Sequence, residues 1–104
     1  MENLFGRFEF FGFEPSHEIR SFAKEILGHV VGDSPSDANS VAQLTKTHRG
    51  FEGLLKVTSL AGTFLAHVVE TDPVHAMQKL HEKMFDQLSK WKEKRELDGS
   101  LAAV

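Results

Sequence analysis

The residues best placed to do chemistry are four lysines, Lys79, Lys83, Lys90 and Lys94. On a helix their spacing returns each side chain to the same side. A row of ammonium groups on flexible stems suits sequence-independent contact with phosphates. Four such contacts would give a log–log salt slope of about −3 for binding to nucleic acid. The chain as a whole carries a net charge of −3, so it has no general attraction to polyanions. The positive charge is concentrated instead. Between Val74 and Arg95 the balance is +3, which leaves −6 for the rest of the sequence. Arg20 and Lys24, with His17, share one side of a predicted helix and could add to a phosphate-binding surface. Arg49 and His48 fall in a tight turn, from which a charge can reach into a groove. Each has a plainer reading. A lysine row on an amphipathic helix is often only a solvated face, Arg20 equally suits a surface salt bridge, and Arg49 an ordinary turn.

Other chemistries lack their residues. The absence of cysteine removes disulfides, thiolate zinc sites and cysteine nucleophiles together, and fits a reducing compartment. The six histidines, His17, His29, His48, His67, His75 and His81, fall in no metal-ligand spacing. His75 and His81 read as exposed helix residues and His67 as one face of a strand. Met77, Met84 and Trp91 recur as a core seam rather than a cofactor box. The glycines form no phosphate-cradling loop, and no nucleophile lies beside a base. The expectation is a non-enzyme with no catalytic residues, no metal and no cofactor.

The elements that must position the lysines follow from periodicity. Phe8 and Phe10 alternate with Arg7 and Glu9 in a first strand, which Phe11-Gly12 interrupts. Ser16 caps a helix whose stripe is Ile19, Phe22, Ala23, Ile26, Leu27 and Val30. Residues 32–37 read as a loop. Three short strands follow, Ser40 to Thr47, Phe51 to Thr58 and Thr63 to Glu70, joined by tight turns. Thr71-Asp72-Pro73 opens a long second helix with proline at its first position, running to about Arg95. The order predicts an α+β fold, β-α-β-β-β-α: a crossover pairs the first two strands in parallel, and a meander completes a four-stranded mixed sheet. The simplest burial lays both helices on one face. One domain over 1–97 is expected, with Asp98-Gly99-Ser100 starting a disordered tail over 98–104. Met1-Glu2-Asn3-Leu4 lacks the charge of a secretory leader, and no run is long enough to span a bilayer, so the cytoplasm is the expected location, with no membrane partner.

This order, with its basic terminal helix, resembles the ribosome hibernation-promoting factor family, which includes ribosome-associated inhibitor A. Phe13-Glu14-Pro15-Ser16-His17-Glu18-Ile19-Arg20 is similar to the family's entry into its first helix. Thr45-Lys46-Thr47-His48-Arg49-Gly50-Phe51 is similar to its hairpin. Asp72-Pro73-Val74-His75-Ala76-Met77, continued by Lys79-Leu80-His81-Glu82-Lys83-Met84 and Gln87-Leu88-Ser89-Lys90, looks like its signature second helix. The resemblance runs from about Phe8 to Arg95 and points to a divergent short form, without the dimerisation domain of long members. It implies a fold like double-stranded RNA-binding domains with an extra leading strand. It also implies a translation inhibitor that binds small-subunit rRNA between head and body, blocking the messenger and transfer RNA paths. Lys83 and Lys90 match signature basic positions.

Two positions depart from that pattern. Val74 stands where the family usually has an aromatic, and Asp86 where it has an arginine. A carboxylate within the row can neutralise Lys83 or Lys90 at three- and four-residue spacing. The alternative is a divergent member without ribosome binding, acting as a protein-interaction or stress-regulatory module. A weak homo-oligomer is compatible with either.

Overall fold

The computed structural model describes the backbone of residues 6–103 and the side chains of 6–94. Its elements are β1 (Gly6–Phe11), α1 (His17–Asp33), β2 (Asn39–Thr47), β3 (Gly50–Ser59), β4 (Gly62–Glu70) and α2 (Pro73–Ala103). The sheet runs β1-β2-β3-β4, with β1 parallel to β2 and the remaining pairs antiparallel. This is the predicted α+β arrangement.

Both helices begin where the sequence provides a cap. The Ser16 hydroxyl accepts the Ile19 N–H at 3.2 Å, and the Asp72 carboxylate accepts the His75 N–H at 2.9 Å. Each satisfies one of the amides left free in a first helical turn.

Strand pairing brings the apolar residues into rows across the sheet. Phe8, Ala42, Leu55 and Ala66 form one row, and Phe10, Leu44, Gly53 and Val68 the next. Ala23, Ile26 and Val30 of α1 and Ala76, Met77, Leu80, Met84 and Leu88 of α2 close over these rows in one core. Burying a side chain the size of Leu or Met contributes about 1.5–3 kcal/mol, which makes this layer the main source of stability. Gly53 lets α2 sit close to the sheet, because a Cβ there would lie 2.7 Å from the Leu80 side chain.

The hairpins close by a glycine device. His48, Arg49, Leu60 and Ala61 keep negative φ, and the residue after each pair, Gly50 at +126° and Gly62 at +136°, takes the positive φ. At Gly50 a side chain is excluded twice over, since its Cβ would run into the Glu70 carbonyl oxygen.

α2 departs from expectation at its end. The helix continues through Asp98-Gly99-Ser100 to Ala103, where the sequence predicts a stop near Arg95 and a tail. A single interior glycine costs only about 1 kcal/mol relative to alanine, and Leu101, Ala102 and Ala103 are good helix formers. The reading of Met1 to Leu4 as lacking a leader falls outside the described residues. Among the described residues no helix is long and apolar enough to cross a membrane.

Candidate nucleic-acid interface

The rotation of α2 is fixed by burial of Ala76, Met77, Leu80, Met84 and Leu88. That turns Lys79, Lys83, Lys90 and Lys94 onto one flank, the side bordering the outer edge of β4. Three bonds define the placement. Lys83 Nζ donates to the His67 carbonyl at 3.0 Å, and Gln87 bonds to Leu65.

The lysines differ in how they are held. Lys79 Nζ lies 3.7 Å from Glu82 Oε1, and Lys90 Nζ lies 3.2 Å from Asp86 Oδ2. The Lys90–Asp86 pair is well exposed, at 75% and 66% of the side-chain surface, so the acid within the row does pair with a lysine, and with Lys90 rather than Lys83. Lys94 is exposed, with no ion pair among the described residues. Lys83 spends one of its three N–H donors on the carbonyl and keeps two for another acceptor.

The remaining basic candidates do not join this row. Arg20 Nη2 bonds Glu14 Oε2 at 3.0 Å, with its guanidinium carbon 5.8 Å from the centre of the Phe10 ring. That puts Arg20 beside β1. Lys24 shares its flank and is exposed. The row on α2 borders β4, so the two groups occupy opposite edges of a four-stranded sheet, at least about 14 Å apart at ordinary strand spacing. Arg49 lies at the β2–β3 tip, where its backbone N–H donates to Thr47 Oγ1 at 3.2 Å. Gly50 beside it adjoins Glu70 and Thr71, so Arg49 sits at the end of the sheet from which α2 departs. Of the row, Lys79 is nearest that end.

Three polar arrangements were not apparent in the sequence. Lys92 Nζ reaches Asp33 Oδ1 at 2.9 Å, tying α2 to the end of α1. His67 Nε2 lies 2.6 Å from Glu52 Oε2 on the open face of the sheet. His81, expected to be exposed, is half-buried and stacks on His29 with ring centres 5.6 Å apart. Each joins residues far apart in the chain, so periodicity carries no trace of them. No group of three metal-ligating side chains occurs among the described residues.

Strand order, crossover and helix placement define the class: an α+β protein of β-α-β-β-β-α topology with a basic flank on its last helix. Two solved structures share the fold. One is the N-terminal domain of Protein Y from Thermus thermophilus, with a TM-score of 0.67 and 12% identity over 81% of this chain and 94% of that one. The other is a ribosomal subunit interface protein from Coxiella burnetii, with a TM-score of 0.70 and 19% identity over 85% of this chain and 97% of that one. At these identities the likeness is one of fold. No family model and no curated protein matches the sequence.

Proposed function

We propose that this protein is a non-enzymatic, hibernation-type translation inhibitor that binds small-subunit rRNA. On this reading its basic side chains grip phosphates, and its folded body occupies the messenger and transfer RNA path. The observation that carries it is the gathering of Lys79, Lys83, Lys90 and Lys94 on one flank of α2, in a fold shared with a ribosomal subunit interface protein. The carboxylates beside Lys79 and Lys90 do not block this. Exposed ion pairs of that kind contribute about 0–1 kcal/mol, little enough for a phosphate to displace them. Arg49 extends the row toward the α2 end of the sheet. Arg20 and Lys24, on the far edge, serve a separate contact.

Purified protein should pellet with small subunits at low salt, with a log–log salt slope of about −3. Lys83→Glu combined with Lys90→Glu should abolish pelleting while circular dichroism stays unchanged. A double variant that pellets like the parent would show that this face is the wrong one.

The 3.2 Å Lys90–Asp86 pair favours a second reading, a protein-interaction or stress-regulatory module that keeps the fold without the RNA site. Recovery of partners with no ribosomal component would support it.

A further inference from the structure

The two edges of the sheet are treated differently. Along β4, Gln87 and Lys83 of α2 occupy backbone groups of Leu65 and His67. Along β1, nothing among the described residues bonds to the outer backbone groups of Gly6–Phe11. An uncovered strand edge is a template for another strand. The residues on β1 determine which strand fits.

We infer that β1 is the interface for a second copy of this chain, pairing antiparallel about a two-fold axis at Phe8 to make a continuous eight-stranded sheet. Arg7 and Glu9 both project to the open face, with Arg7 Nε 3.5 Å from Glu9 Oε2 within the strand. With Phe8 at the axis, Arg7 faces the partner's Glu9, and Glu9 faces the partner's Arg7. Two opposite-charge cross-strand pairs result. A register centred on Arg7 or on Glu9 would instead set like charges against each other, so charge favours Phe8 over the centre on either side of it. On the helix face, Phe8 meets its own symmetry mate. Phe8 and Phe10 are stacked there, with ring centres 5.2 Å apart, and both remain only half-buried in the single chain. The interface is isologous and closes on itself.

The contact is small and the association correspondingly weak. One strand pair and two aromatic rings fall short of the roughly 1,200–2,000 Å² of a standard interface, which puts the contact in the weak, transient class. The α1 flank beside the axis adds Lys24 and the Arg20–Glu14 pair, one uncompensated lysine per copy.

Sedimentation equilibrium of the full chain, free of RNA, tests the inference independently of ribosome binding. Between about 10 μM and 1 mM, the average mass should rise from monomer toward dimer. Arg7→Glu alone and Glu9→Arg alone should each weaken self-association by about tenfold or more, because each puts two like-charge pairs across the axis. Mixing the two variants should restore a dimer, since the glutamates at 7 and 9 of one then face arginines at 9 and 7 of the other. The double exchange, Arg7→Glu with Glu9→Arg, should self-associate like the parent. A parent that stays monomeric at the highest concentration overturns the inference. So do single variants that dimerise undiminished, or a mixture that fails to pair.

Discussion

Gln87 holds Leu65 by both of that residue's backbone groups: its side-chain nitrogen donates to the Leu65 carbonyl at 2.6 Å, and its Oε1 accepts the Leu65 N–H at 3.3 Å. A primary amide presents a donor and an acceptor side by side, as a neighbouring strand does. One helix residue therefore stands in for part of a fifth strand. With Lys83 on the next outward carbonyl, α2 is locked to β4 along the flank that carries the basic row.

Gln87→Ala should cost about 1–2 kcal/mol, the loss of two modest hydrogen bonds at an exposed edge where water replaces part of each. Urea unfolding measures the loss. Hydrogen exchange should show the Leu65 amide accelerating well beyond what the global change in stability explains.

Gly50→Ala should be more damaging than its position in a surface turn suggests. The residue sits at φ +126°, and the added Cβ meets the Glu70 carbonyl oxygen. Strain of that kind costs about 1–3 kcal/mol before the clash is counted. A domain of this size should lose about 4–8 °C in Tm for each kcal/mol, read by thermal melts. Gly28→Ala, where no atom lies within 4 Å of the added carbon, is the control and should stabilise α1 by somewhat under 1 kcal/mol.

The caps should behave as independent units. Ser16→Ala and Asp72→Ala each remove the acceptor for one first-turn amide and should cost about 1 kcal/mol apiece. They begin different helices and share no partner, so the double variant should be additive within about 0.5 kcal/mol in denaturant titrations.

Asp86→Arg separates the two functional readings. It frees Lys90 from its 3.2 Å pair and adds a cation to the flank. Stability should move by less than about 0.5 kcal/mol, as for exposed pairs on a helix. On the ribosome reading, co-sedimentation should strengthen and the salt slope steepen by about 1–2 units. An unchanged affinity would favour the protein-interaction module.

Much of the architecture was legible because local rules and the global packing agree. Ser16 and Asp72-Pro73 announce their helices by capping chemistry, and the alternation of Ala42 with Leu44 and of Leu55 with Val57 fixes which strand faces turn inward. The far end of α2 differs from expectation because Asp98-Gly99-Ser100 reads as punctuation, whereas one glycine is too small a penalty to stop an established helix. The lysine row was readable from spacing alone. Its partners were only half readable. Asp86 with Lys90 follows from i,i+4 spacing, but Lys83 with His67 depends on how a helix lies beside a strand sixteen residues earlier in the chain. Arg20 and Lys24 share one side of α1 by spacing, and spacing does not say which edge of the sheet that side will occupy.

The sealing of β4 also limits how far this sheet can grow. A protein with two bare edges can stack side by side without limit, which is how ordered aggregates begin. Here the glutamine and lysine of the last helix occupy the Leu65 N–H and the Leu65 and His67 carbonyls, so a copy added along β1 leaves outward the two edges on which part of the backbone is already bonded. The same residues that fasten a helix to its neighbour also take three of the backbone groups a further strand along β4 would need.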